Sequence, residues 1–336
     1  MKKTESRSLH WSQQKEKTAG YWQLKFLLGL FRILPVIILR ILAFPVGFFY
    51  FLFSKKSRAE SKRFLEKAAP FIIDAKTAKK CCSPFAALRH IISFSLTLVE
   101  KLQSWGGVFP YKNIHYQDDD IKELIQRLET RKGAFLFISH LGNAELLRGL
   151  ASFHLMEVSK KVTVTIIADT NVSGDFTRML KELNPLSGMD IINAQEIGPQ
   201  AAVTIEEKLD SGGLVIIAGD RTSFNKSEEP FMIPFLGEKA PFSPGIFYLA
   251  IMMNVPIFFI FALRRGDLSV KPEYNIHIHK SNISFDKEKL SRKERFSQSS
   301  SLARSYAELL ERYCKKSPFQ WYNFFDFWSK GVGDGA

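Results

Sequence analysis

The chain has 336 residues, enough for one large domain with appendages or for two modest ones. With 46% hydrophobic and 24% charged residues it is not a disordered chain. A formal net charge of +13 calls for an acidic partner, an anionic membrane or an acidic protein; nucleic acid is disfavoured, since zinc-finger spacing, a basic zipper and RNP-like aromatics are missing.

The most apolar stretch comes first. LKFLLGLFRILPVIILRILAFPVGFFYFLF (24–53) holds many of the 30 phenylalanines and exceeds the roughly 20 residues that a membrane-spanning helix needs. Arg32 and Arg40 interrupt it, and Pro35 and Pro45 would kink it. An arginine at the bilayer centre costs roughly 2.5–3.5 kcal/mol on insertion scales, so two of them argue against a simple span. The run is too long, starts too late and lacks the small-residue cleavage pattern of a signal peptide. Basic residues flank it on both sides, Lys15, Lys17 and Lys25 before it and Lys55, Lys56, Arg58, Lys62 and Arg63 after it. A single span would show asymmetry in its flanking charges. The pattern predicts a helix pair that dips into one leaflet and returns near Pro35, its arginines snorkelling to anionic headgroups. Residues 1–70 are assigned to this membrane-associated anchor.

Residues 71–330 make the second unit, a helical lead-in (71–105) and an α/β core (106–330). FAALRHIISFSLTLVEKL (85–102) has a helical period, and His90 within it reads as a packed or exposed helix residue. WGGVFPYKN then breaks the helix. Asp118, Asp119 and Asp120 precede IKELIQRLET, where acids suit a helix start, so capping is expected of them. From there strands and helices alternate. Strands are predicted over 133–139, 162–168, 189–194, 213–219, 255–264 and 273–280, and helices over 143–156, 175–183, 199–212, 243–254 and 297–316. DKEKLSRKERFSQSSS, ahead of the last helix, reads as a solvated loop. The alternation predicts an α/β fold with a central, mostly parallel sheet flanked by helices. Ligands bind beyond the carboxyl ends of such strands.

One segment at such an end carries the chemistry. FISHLGNAELLRG (137–149) places His140 after an apolar strand, then a Gly-Asn turn, then Glu145 on the next helix. Histidine is the side chain best able to take and return a proton near neutral pH. Its second ring nitrogen needs an acceptor, and Glu145 is within reach for that role. The same pair also fits a buried histidine tied down by a local acid. Asn143 fits either a substrate contact or a left-handed turn residue. There is no G-x-S-x-G elbow and no Cys-His pairing, so a covalent acyl-enzyme is not indicated. P-loop and G-x-G-x-x-G fingerprints are absent as well. Cys81, Cys82 and Cys314 form neither a disulfide framework nor a ligand set, and reduced cytosolic thiols are expected. His277 and His279 share a strand face without a third ligand, so no metal is expected.

The wider pattern narrows the reading. FISHLGNAELLRG resembles the H-x-G-N-x-E block of the bacterial lipid A biosynthesis (lauroyl/myristoyl) acyltransferases, within the lysophospholipid acyltransferase-like superfamily. In order along the chain, ADTN ending at Asn171, LVIIAGDRTS, FMIPFLGEKAPFSPGIFYLA and SPFQWYNFFDFW resemble further blocks of that family, over about Gly106 to Trp328. Both ends look closest to a subgroup associated with aryl polyene lipid gene clusters. The resemblance implies a glycerolipid-acyltransferase-like fold and O-acyl transfer from acyl carrier protein or coenzyme A to a lipid or glycolipid hydroxyl. It implies no separate cofactor and a place on the cytoplasmic face of a bacterial inner membrane. Carried over residue by residue, His140 is the base and Glu145 its orienting acid, with Asn143, Asn171, Asp220 and Arg221 as substrate contacts. Asp220-Arg221 departs from the family's usual Asp-Gln. A non-catalytic lipid-binding homologue and a hydrolase using the same pair are the alternatives. The aromatic cluster from Phe319 to Trp328 reads as packing or interfacial anchoring.

Overall fold

The structure, a computed structural model, describes residue 29 and residues 33–105, 109–143, 145–146, 158–159, 162–169, 189–221, 229–283 and 290–329. Short apolar runs rich in β-branched and aromatic residues form its central sheet. The strands are β1 (Ile114–Tyr116), β2 (Ala134–Ile138), β3 (Val164–Ala168), β4 (Met189–Asn193), β5 (Leu214–Ala218), β8 (Ile257–Arg264) and β9 (Tyr274–Lys280), in the order β1-β9-β8-β2-β5-β3-β4. Every neighbouring pair is parallel except β8 and β9. The mostly parallel sheet expected from the alternation is therefore present.

Coverage on both faces explains why β2 and β5 read as continuous apolar runs rather than alternating ones. One face carries Phe135, Phe137, Val215, Ile217, Phe259 and Phe261. These pack against α7 (Pro244–Met252) and α8 (Arg292–Lys316), with Phe137 stacked on Phe247 at 4.8 Å. The opposite face carries Leu136, Leu214, Ile216, Phe258 and Ile260, beneath Leu124 and Leu128 of α5 (Asp120–Glu129). The predicted helix over 199–212 is α6 (Pro199–Asp210). The predicted helices over 143–156 and 175–183 fall mostly or wholly outside the described residues.

Two of these expectations need correction, and one element was not foreseen. The aspartates before α5 do not cap it, since Asp119 makes no side-chain cap bond. Asp118 and Asp120 instead accept from the backbone N–H of Ile278 and Lys280, fixing the end of β9. The last helix starts at Arg292, inside the segment read as a loop, because Ser291 and Glu294 form a reciprocal capping box. A hairpin, β6 (Phe231–Phe235) and β7 (Glu238–Phe242), was hidden by Pro234 and Pro241. A two-stranded ribbon tolerates them because each strand has a free edge. Its turn, Leu236-Gly237, takes positive φ at both positions, as a tight hairpin requires.

The N-terminal region folds as α1 (Val36–Phe53) and α2 (Lys55–Ala68), and the lead-in as α3 (Ala75–Cys81) and α4 (Ala86–Trp105). α1 has 18 residues, about 27 Å, and is apolar and long enough to cross a membrane. It packs along α4, where Gly47 lies so close that a Cβ would meet Ser95 Oγ at 2.9 Å. Ile37, Ile41, Val46, Phe49 and Phe53 remain exposed. Arg40 does not snorkel. It is buried against the core, donating to Gln103 Oε1 at 2.5 Å and to the Val270 carbonyl at 3.2 Å. Arg32, and with it the first arm of the expected helix pair, lies outside the described residues. His90 is fully buried, its Nδ1 paired with Ser61 Oγ at 2.9 Å.

Candidate active site

Sheet register builds the site. β2 and β5 are parallel, with Ile138 opposite Ala218. Two residues beyond each, at the carboxyl ends, stand His140 and Asp220. The His140 backbone N–H donates to Asp220 Oδ2 at 2.8 Å, and His140 Nδ1 lies 2.7 Å from Oδ1. Trp321 Nε1 also donates to Oδ2, at 2.9 Å, and Asn323 Nδ2 donates to the Asp220 carbonyl. Asp220 is fully buried, while the His140 side chain keeps 28% of its surface exposed. Only the imidazole reaches the crevice.

The electrostatics follow from this geometry. Burial alone pushes the Asp220 carboxyl up, but His140 and the bonds from the His140 ring, Trp321 and the His140 backbone outweigh it and hold it low. Asp220 is therefore an ionised acceptor, which puts the ring proton on Nδ1 and the lone pair on Nε2. Burial, and then the charge of Arg221, keep the His140 ring below the usual imidazole range, against the pull of Asp220. The ring is neutral and able to accept a proton at pH 7. Arg221 donates to Nε2 from both Nε (3.2 Å) and its terminal amino group (3.0 Å), with its guanidinium 5.2 Å from the Phe325 ring centre.

The turn after His140 is fixed on two sides. Gly142 has φ +73°, and a Cβ there would lie 1.9 Å from the Ala262 carbonyl, so no other residue fits. Its N–H donates to the Gln320 carbonyl, the N–H of Asn143 to the Ala262 carbonyl, and the N–H of Tyr322 to the His140 carbonyl. Gln320 grips β8 through both side-chain atoms, accepting from Arg264 N–H and donating to its carbonyl, each at 2.8 Å. The Tyr322 hydroxyl pairs with Ser93 and Thr97 of α4 at 2.9 Å. Three consecutive side chains of the terminal cluster thus hold the site in place. Packing alone does not describe them.

His140, Asp220 and Arg221 come together as one group. The Nδ1 hydrogen bond expected of Glu145 is made by Asp220; Glu145 is half-buried where the next helix begins. The left-handed residue of the turn is Gly142, and Asn143 is not among the described residues with positive φ. The Asn143 side chain is fully buried with neither Nδ2 nor Oδ1 hydrogen-bonded. Asn171, Arg148, Thr222 and Ser223 lie outside the described residues. Among the described residues no group of three or more His, Cys, Asp or Glu could hold a metal. His277 pairs with Asp118 and His279 with Tyr313.

A histidine–carboxylate pair at the carboxyl ends of adjacent parallel strands in an α/β sheet stands where ligands bind in such folds, and it is an arrangement able to pass a proton. The chain matches the family of bacterial lipid A biosynthesis acyltransferases over residues 8–330, and it belongs to that family. Membership makes acyl transfer in lipid biosynthesis its class of activity, and α1 supplies an apolar helix for membrane association. The match is to the family as a whole and says nothing of the aryl polyene-associated subgroup. No curated protein matches the chain.

Proposed function

We propose that the chain moves a fatty acyl group from a thioester of acyl carrier protein or coenzyme A to a hydroxyl of a lipid or glycolipid. His140 Nε2 takes the hydroxyl proton as the oxygen attacks the thioester carbonyl. Asp220 stabilises the imidazolium, and the departing thiolate takes the proton back. The observation that carries this reading is the His140–Asp220 pair, which fixes the tautomer with its lone pair toward the crevice. Glu145, the acid of the family block, is half-buried where the next helix begins, five residues along the chain from His140. Asn143, with a buried and unpaired amide, is a substrate contact that a bound polar group would satisfy.

Direct transfer is favoured over a covalent acyl-enzyme. Burial pushes the Cys81 thiol up to about 12, and the Cys314 thiol well up too, so neither is an active nucleophile. Ser139 is buried and accepts from the Leu141 N–H. A net charge of +13 suits an anionic carrier and an anionic membrane surface alike. We place the enzyme on the cytoplasmic face of the inner membrane, held by the exposed side of α1, with Asn171 and Arg221 assigned as substrate contacts.

His140→Ala should lower acyl transfer by about 10²–10⁴-fold with unchanged membrane binding. Full activity in that variant would sink the base assignment. A guanidinium seated on Nε2 is the one observation favouring a second reading, a non-catalytic lipid-binding homologue. Turnover of any acyl thioester that depends on His140 excludes it.

A further inference from the structure

A neutral imidazole has one lone pair, and in this protein Arg221 holds it. Both Nε and a terminal nitrogen of the guanidinium point at His140 Nε2. An attacking hydroxyl needs the same lone pair in the same direction. The site as it stands is therefore aligned but capped. On the far side the ring cannot turn away, because Nδ1 and the His140 backbone N–H are both tied to the Asp220 carboxylate, which Trp321 also holds. The element able to move is the side chain of Arg221, which is only partly buried.

What would draw it off follows from the chemistry of the guanidinium. Its bonds to an imidazole nitrogen are charge-assisted on one side only. A phosphate ester offers it two anionic oxygens in the planar, two-pronged geometry that arginine matches best. From this we infer that Arg221 is a phosphate-released cap on the base. A phosphate ester on a bound substrate takes the guanidinium from Nε2, and the hydroxyl moves into the vacated position. The inference rests on the acyl-transfer reading of His140 and adds a substrate class to it: at least one partner in the reaction carries a phosphate that reaches Arg221 when bound. That phosphate belongs either to the donor's phosphopantetheine arm or to the acceptor lipid. Withdrawing the cation has a second consequence, since Arg221 is among the groups holding His140 in its neutral form. The base strengthens as the cap leaves, at the moment the hydroxyl arrives.

The test uses the full chain in phosphate-free buffer and non-phosphate detergent micelles with four substrate pairs. The donor is an acyl thioester of phosphopantetheine or of N-acetylcysteamine, and the acceptor is a lysophospholipid or a monoacylglycerol. The wild type should transfer at least about tenfold more slowly when neither partner carries phosphate, as expected for loss of an arginine–phosphate contact. Whichever single phosphate restores the rate identifies its source. Arg221→Gln should erase the preference, raising turnover of the phosphate-free pair about threefold or more and raising KM for the phosphate-bearing pair by about tenfold. The acid limb of its pH profile should move to higher pH. Equal loss with all four pairs, or an unchanged preference, would overturn the cap. A second readout separates this failure from failure of the acyl-transfer reading. The ¹⁵N titration of His140 should shift upward on adding inorganic phosphate in the wild type and be insensitive to phosphate in Arg221→Gln. A protein without transfer activity that still shows this response keeps the cap and loses the reaction; an unresponsive wild type refutes the cap.

Discussion

Two arginines stand at the carboxyl ends of the strands that flank β2, each near a buried acid, and their surroundings are opposite. Arg264, at the end of β8, donates to Glu100 Oε1 at 2.7 Å and to the carbonyls of Asp267 and Ser269, with no exposed side-chain surface. The Tyr274 hydroxyl closes the other oxygen of Glu100, and Arg40 of α1 joins from above Gln103. Burial there raises the Glu100 carboxyl in spite of these partners. Around Asp220 the balance runs the other way, with the carboxyl held low, the imidazole partly exposed and Arg221 seated on its free nitrogen. A buried ion pair held by bonds from several elements, with only the Nε atoms of Arg264 and Arg40 left without a partner, is a clamp; it joins α1 and α4 to the sheet. An ionised acid beside a partly exposed, neutral ring instead fixes that ring's tautomer and turns its lone pair outward. The two are connected through Gln320 and Trp321, one binding Arg264 and the other Asp220.

The contrast breaks most visibly at the acids. Asp220→Asn should lower acyl transfer by about 10²–10⁴-fold with a cooperative unfolding transition retained. Glu145→Gln, run in parallel, shows which acid orients the ring. A larger loss from Glu145→Gln than from Asp220→Asn would return that role to Glu145. At the clamp the outcome is inverted. Arg264→Met leaves Glu100 buried without its main cation and should cost about 3–5 kcal/mol of folding stability in denaturant titration. The protein that remains folded should keep near-normal turnover, and a collapse of turnover at full stability would mean that the clamp is part of the chemistry.

These assignments were only partly open to sequence reasoning, and the reason is separation. Apolar runs bounded by turns made the sheet legible, and the strand-end position of His140 followed from them. A local search for its partner found Glu145, five residues on, because spacing along the chain is all that a single segment offers. Asp220 lies 80 residues away and reaches Nδ1 through the in-register pairing of β2 with β5. The parallel endings FLFISH and VIIAGD carried that signal, since both strands stop two residues before a polar group. Arg40 misled for a related reason: composition marks a charge in an apolar helix as costly, while only the fold supplies Gln103 and Val270 to receive it. The hairpin of β6 and β7 was lost to its prolines.

Trp321 tests the link between the two regions. Trp321→Phe preserves a large buried ring beside Phe235 and Phe327 but removes the N–H held by Asp220. A hydrogen bond to a charged group contributes about 1.5–3 kcal/mol to stability, so folding should weaken by about that much, and with Asp220 less firmly held kcat should fall by roughly 10–100-fold as well. If stability fell and kcat did not, Trp321 would be core and nothing more.

The smallest effect sits between the anchor and the site, at His90. Its ring is enclosed by Phe64, Tyr322 and Phe324, and burial drives its pKa down to about 3. A histidine with a folded pKa below its unfolded one binds its proton mainly in the unfolded chain. Its contribution to stability is therefore complete above pH 6.5 and is lost as the pH falls toward 3. By pH 5.5 the loss amounts to about 1–2 kcal/mol. His90→Gln, whatever its stability at neutral pH, should flatten that part of the pH dependence in thermal melts between pH 7 and 5.5. An identical slope in the two proteins would place the acid sensitivity elsewhere, with His140, His277 and His279, whose pKa values are also held low, the next to examine. A flattened slope would tie the acid sensitivity of folding to the seam where α2 and α4 meet the Gln-Trp-Tyr segment.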